Sequence, residues 1–173
     1  MIKIKGYSIW LEPKGSQKRV LDNLVSNIAA QYSVDKFAFH VTLLGGITGE
    51  EKVVKARTVS LAASLNPFLV ELTDMVAMED IWQKTLAIRA KQTEHLMEAN
   101  RKAQRVFSIG NADYDPHASL IYAENMPYPQ RNAVIKQLDS GIYSVSFPVE
   151  SIHLYRTEGG IKDWTHLAEF RFG

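Results

Sequence analysis

Two of the five histidines open the same four-residue word, His40-Val41-Thr42-Leu43 and His117-Ala118-Ser119-Leu120. In a β-strand residues i and i+2 point to the same face, roughly 7 Å apart along the strand. Each word therefore presents one imidazole beside one hydroxyl, and the chain builds that pair twice. Two imidazoles can serve as an acid and a base, and two hydroxyls can hold the oxygens of an anion. That combination points to phosphoester chemistry.

A random histidine in this composition opens such a word about one time in a hundred, and two of five doing so by chance is of order one in a thousand. His95, His153 and His166 are followed at +2 by Met97, Tyr155 and Ala168, so none repeats the pattern. A single histidine on a strand is ordinarily a hydrogen-bonded structural residue; the repetition is what carries the functional reading. His153 and His166, among Ile152, Leu154, Trp164 and Phe170, read as structural, and His95, beside Glu94 and Glu98, as exposed on a helix. A zinc site needs a third ligand. No histidine or carboxylate stands at a recognisable spacing from either motif, so no metal and no cofactor are expected.

If the two motif strands face each other, a phosphate between them meets the Thr42 and Ser119 hydroxyls and at least one imidazolium. Hydrogen bonds to an ionised oxygen run about twice the strength of neutral ones. Donors aimed at developing charge can each lower the barrier by a few kcal/mol, and a well-placed histidine contributes roughly 10²–10⁴-fold through proton transfer. His117 is assigned as the base for water and His40 as the acid for the leaving oxygen, although nothing in the sequence breaks the symmetry between them. Trp10, Trp82, Tyr122 and Tyr155 fall on expected strands, where a base can stack for ~1–3 kcal/mol. Tyr122, three residues past Ser119, is the foremost of them.

The rest of the chain bounds this reading. Its 173 residues fit one domain or two lobes sharing a core, and 46% apolar with 23% charged residues is ordinary for a globular protein. The lack of cysteine excludes disulfides and thiol catalysis and suits a reducing cytoplasm. No apolar run approaches the ~20 residues of a membrane span, and Met1-Ile2-Lys3-Ile4-Lys5 alternates like a strand rather than opening a signal peptide. A net charge of +1 gives little support for binding long nucleic acid, while a small anionic substrate needs only a few local donors. A monomer is expected.

The elements that must position the motifs follow from periodicity. Residues 2–11 read as a strand, and Ser16 as the cap of a helix whose Val20, Leu21, Leu24, Val25, Ile28 and Tyr32 keep a 3.6 period. Phe37–Leu44 is the first motif strand, ended by Gly45-Gly46. Thr48-Gly49-Glu50-Glu51 is a capping-box pattern for a helix to about Leu65. Strands are expected from Pro67 to Val76 and from Ile81 to Arg89, then a helix from Gln92 to Phe107. Pro116 introduces the second motif strand, and Pro129 opens a helix with Val134, Ile135 and Leu138 as its apolar side. Ser144–Tyr155 and Trp164–Phe172 close the chain as two strands. A helix precedes a motif strand once in each half, over residues 16–44 and 92–122, which suggests two pseudo-symmetric lobes offering one motif strand each to a shared cleft.

The words HVTL and HASL resemble the His-x-Thr/Ser signatures of the two-histidine phosphoesterase superfamily. The stretches YSIWLEP at 7–13, FHVTLLGG at 39–46, the Trp82-Gln83 strand, PHASLIYA at 116–123 and the ending IHLYRTEGG…WTHLAEFRF resemble its plant and yeast cyclic phosphodiesterase branch. The resemblance implies an α+β, bilobal, LigT-like fold over residues 1–173, with two antiparallel sheets flanking a central cleft and helices outside. It implies hydrolysis of nucleoside 2′,3′-cyclic phosphate to the 2′-phosphate and of ADP-ribose 1″,2″-cyclic phosphate to the 1″-phosphate, in RNA and tRNA processing metabolism. It carries phosphate contacts onto His40, Thr42, His117 and Ser119, and a substrate-pocket role onto Tyr122 and Trp10. Plant members often carry disulfide-forming cysteines; their absence here sets redox regulation aside. The partner is a small cyclic-phosphate nucleotide or an RNA end. The competing readings are a 2′-5′ RNA ligase-like enzyme, a 2′,5′-oligonucleotide phosphodiesterase and a non-catalytic nucleotide-binding module.

Overall fold

The computed structural model describes residues 6–77, 86–110, 113–123, 126–138 and 145–173. The strands are β1 (Tyr7–Leu11), β2 (Val41–Ile47), β3 (Phe68–Val76), β4 (Leu86–Ala90), β5 (His117–Ile121), β6 (Ser146–Val149), β7 (Ser151–Arg156) and β8 (Thr165–Arg171). The helices are α1 (Gly15–Tyr32), α2 (Glu51–Ala63), α3 (Glu94–Phe107) and α4 (Tyr128–Gln137), with a 3₁₀ turn at Ile161–Asp163 before β8. Trp82 and Gln83, expected on a strand, lie outside the described residues.

All strand pairs are antiparallel, in the order β6-β3-β4-β5-β2-β1-β7-β8. The two motif strands, β2 and β5, meet in the middle through one register pair, Val41 with Ala118. The two expected sheets are thus the halves of one array, joined at a narrow seam where the motifs lie. β6 and β7 are separated only by Glu150 yet belong to opposite halves, so the array curls until its ends nearly meet. Phe172 N–H donates to the Glu150 carbonyl at 2.9 Å, and Phe68 stacks on Phe172 at 6.1 Å. The α+β architecture that the family resemblance implies is the one adopted.

Alternation sorts the central strands into two faces. Ile9, Leu11, Val41, Leu43, Ala118, Leu120, Ile152 and Leu154 are buried in one hydrophobic cluster with Leu21, Val25 and Ile28 of α1 and Leu96, Ala99 and Ala103 of α3. Ser8, Trp10, His40, Thr42, His117, Ser119, His153 and Tyr155 occupy the other face. α1 packs on β5 and α3 on β2, so the helix of each half covers the motif strand of the other.

Several boundaries differ from the sequence expectation. β2 begins at Val41, so His40 stands just before the ladder, and the strand runs through Gly45-Gly46 instead of ending there. The register passes from Tyr7–Ile47 to Ile9–Leu44, a bulge in which Gly46 takes φ of 70°. α1 starts at Gly15 with Lys14 as its N-cap, and α2 is flanked by Glu50, with no side-chain cap hydrogen bond at either start; Ser16 and Thr48 do not cap. Thr93 does cap α3, its hydroxyl accepting from Leu96 N–H at 3.3 Å. The strand expected over Ser144–Tyr155 divides at Glu150 because its halves serve opposite ends of the array.

Candidate active site

Three tethers fix the first motif. Phe39 N–H donates to Asp22 Oδ1 of α1 at 2.7 Å, Asn100 Nδ2 of α3 donates to the Leu43 carbonyl at 2.7 Å, and the Tyr114 hydroxyl donates to the Thr42 carbonyl at 2.9 Å. The second motif follows a loop pinned by that same Tyr114. On β4, Arg89 pairs with His117 and Ala87 with Ser119.

Both histidines carry the same anchor. His40 Nδ1 lies 2.7 Å from the Ala38 carbonyl, and His117 Nδ1 lies 2.8 Å from the Asp115 carbonyl, in each case two residues upstream. A carbonyl can only accept, so Nδ1 carries the hydrogen and the neutral ring keeps its lone pair on Nε2. This is the arrangement a proton-transfer histidine needs.

His40, Thr42, His117, Tyr122 and Trp10 all line one cleft of about 270 Å³, together with Ser8, Gly45, Gly46, Thr157 and Trp164. The expected residues are therefore brought together from β1, β2, β5 and the segment after it. Ser119 lies one step back. It is 2% exposed, and its hydroxyl meets the Tyr122 phenol. Burial pushes that phenol up to about 12, with the Ser119 hydrogen bond acting the other way. Ser119 and Tyr122 thus form a coupled hydroxyl pair rather than two independent contacts.

Trp10 does not present an open face for a base. Its ring is stacked on one side by His40, at 3.6 Å and 6° between planes, and on the other by Tyr155, at 3.6 Å and 22°. Only its edge reaches the cleft. Trp164, read from sequence as core-like, instead forms a wall of the cleft, with T-shaped contacts to Tyr122 at 5.5 Å and Trp10 at 5.7 Å. Its buried indole N–H has no protein acceptor among the described residues. Phe37 tilts against Tyr122 at 4.5 Å. The aromatic spacing in the closing WTHLAEFRF stretch was the only available signal for Trp164.

Electrostatically the two histidines differ. Burial pulls His40 down to about 4; the Ala38 carbonyl and Glu12 act upward, His117 and Lys18 downward. His40 is neutral in the free protein at neutral pH. One anionic charge ~4 Å away is worth about 4 kcal/mol at an effective dielectric constant of 20, roughly a thousandfold in protonation, so a bound phosphate would return His40 to the neutral range. A second cleft of about 240 Å³ shares Thr42, Gly45 and His117 with the first and adds Asn100, Asp113, Tyr114 and Asp115. Among the described residues no group of three histidine or carboxylate side chains is placed to hold a metal ion, and no helix is long and apolar enough to cross a membrane.

The family model of the 2′-5′ RNA ligase superfamily matches residues 9–161. A cyclic phosphodiesterase of Arabidopsis thaliana is 25% identical over 162 residues, covering 91% of this chain and 88% of the relative. Among solved structures, TT0787 of Thermus thermophilus superposes with a TM-score of 0.64 at 16% identity, covering 96% of this chain and 97% of that one. E. coli LigT complexed with 3′-AMP superposes with a TM-score of 0.62 at 12% identity, over 97% and 98% of the two chains. The fold, the paired motifs meeting at one cleft and the match over most of the sequence lead to one conclusion: the chain belongs to the 2′-5′ RNA ligase superfamily of two-histidine phosphoesterases.

Proposed function

We propose that the cleft hydrolyses cyclic phosphates without a metal ion, converting nucleoside 2′,3′-cyclic phosphate to the 2′-phosphate and ADP-ribose 1″,2″-cyclic phosphate to the 1″-phosphate. The observation that carries this reading is the repeated Nδ1 anchor on two histidines that line one cleft, which leaves Nε2 as the accepting nitrogen of each neutral ring. The cyclic phosphodiesterase relative of Arabidopsis thaliana supports the substrate class.

In-line attack puts water and leaving oxygen on opposite sides of phosphorus. His117, on the more open side, takes a proton from water through Nε2 as the new P–O bond forms. His40, charged alongside the anion, gives its Nε2 proton to O3′ as the P–O3′ bond breaks. Thr42 and the Ser119–Tyr122 pair donate to the phosphate oxygens, where charge grows during attack. The product is a 2′-phosphate, and exchange of protons with water resets the pair.

The enzyme acts as a cytoplasmic monomer in RNA and tRNA processing metabolism, on small cyclic nucleotides or on RNA ends. A 2′-5′ RNA ligase-like or 2′,5′-oligonucleotide phosphodiesterase activity would require a basic track beside the cleft, for which the net charge of +1 gives little support. ³¹P NMR of 2′,3′-cyclic AMP incubated with the protein in EDTA tests the proposal. The expected product is 2′-AMP alone; 3′-AMP would refute the stated regiochemistry, and binding without turnover would make the chain a nucleotide-binding module.

A further inference from the structure

Trp10 is sandwiched, and what lies behind it is unusual. Tyr155, on its far face, donates its hydroxyl to Glu12 Oε1 at 2.7 Å, while Lys18 Nζ reaches Glu12 Oε2 at 2.7 Å. Glu12 is only 4% exposed. Burying a carboxylate is costly, and an ion pair that includes one is often replaceable by apolar residues of similar volume without loss of stability. Trp10 is also held in plane, its Nε1–H donating to Ser8 Oγ at 2.8 Å while Ser8 donates to the Leu44 carbonyl at 3.3 Å. Every freely rotating group from Glu12 to the indole is tied down, and the stack ends on His40.

We propose that Trp10, backed by Tyr155 and by the buried Glu12 with its half-buried partner Lys18, is a positioning device for His40 that fixes its ring and favours its protonated form when an anion occupies the cleft. It rests on the phosphate-site reading above and specifies how that site works. A planar cation lying flat over an indole face is attracted by the ring quadrupole, most strongly where water is excluded. The negative charge of Glu12 acts in the same direction. Lys18 of α1 and His117 of β5 oppose it. Asp22 of α1 joins Lys18 at 3.1 Å, His153 on β7 interacts with Glu12, and on β8 His166 lies edge-on to Tyr155 at 5.0 Å while Glu169 faces His153. Trp10, Tyr155, Glu12 and Lys18 are positioning residues, none of them a proton donor in the reaction.

The test is an NMR titration of His40, with and without saturating sulfate, whose charge is constant over the range. Wild type is compared with Trp10→Phe, Trp10→Leu, Tyr155→Phe and Glu12→Gln. His40 should protonate at lower pH in every variant, by up to about thirtyfold in the protonation equilibrium for Trp10→Leu and less for Trp10→Phe, which keeps a ring face. Turnover of 2′,3′-cyclic AMP should fall in the same order, in kcat more than in KM. Identical His40 titrations in wild type, Trp10→Phe and Glu12→Gln would overturn the device, whether or not Trp10→Leu folds. A wild-type His40 that ignores sulfate would instead count against the phosphate site, and the sulfate-free comparison would still decide the stack.

Discussion

The two motifs share a word and an anchor but not an environment. His40 is 2% exposed, flat on an indole, and reaches the cleft from beneath. His117 lies on the seam where two clefts meet and lines both. Their hydroxyls are arranged the other way round: Thr42 lines the cleft, while Ser119 is buried behind Tyr122. Each half therefore offers one half-buried and one buried member. Such asymmetry is what two chemically identical groups need to take opposite roles as acid and base. Sequence repetition supplies the pair; burial makes its members unequal.

Removing either histidine should have the largest effect. His40→Ala and His117→Ala should each lower turnover of 2′,3′-cyclic AMP by roughly 10²–10⁴-fold. The double variant should be little worse, because the residues act as a unit. Multiplicative losses measured in single-turnover assays would show two independent contributions and break the pairing.

The hydroxyls come next. Thr42→Ala and Ser119→Ala should each cost roughly 10–10³-fold in kcat. Thr42→Ser should be far milder. Ser119→Ala should also release Tyr122 and disturb KM, whereas Thr42→Ala should not. Unchanged kinetics in both alanine variants would move the phosphate elsewhere.

Stability should register the burial of His40. Its folded value of about 4 lies below the ordinary imidazole value, so between about 6.5 and 4 the unfolded chain binds the extra proton. Stability should thus be full above that window and fall as pH drops through it, by up to about 3 kcal/mol from this group. Urea unfolding of wild type and His40→Asn at both ends of the window measures it; equal slopes would show that His40 is not held neutral.

Tyr122→Ala is the smallest effect expected. It should raise KM for a nucleotide by about 1–3 kcal/mol more than for a base-free cyclic phosphate if a base stacks there. Equal effects on both substrates would leave Tyr122 as the partner of Ser119 alone.

The sequence made the motif pair legible because period-two alternation links each histidine to its hydroxyl regardless of where the strand begins. It could not show that β2 starts one residue after His40, since that boundary is set by the tethers from Asp22 and Asn100. Gly45-Gly46 read as a stop because a bulge and a turn ask for the same residue. Ser16 and Thr48 are good caps in isolation but yield to tertiary placement of their helices. Trp10 was recognisable as a site aromatic, yet its role depends on Tyr155 and Glu12, which only the pairing of β1 with β7 brings beside it. Trp164 gave only the weak signal of aromatic spacing and read as core-like, because the 3₁₀ turn before β8 is what brings it to the cleft.

The central claim is that two histidines from opposite halves transfer protons in one reaction without a metal ion. The pH dependence of kcat/KM for 2′,3′-cyclic AMP in EDTA tests it most directly. The account predicts a bell-shaped profile, with one limb lost from the residual activity of each single histidine variant. A flat profile from about pH 5 to 8, a single histidine variant with undiminished activity, or activity lost to EDTA and restored by Zn²⁺ would contradict it.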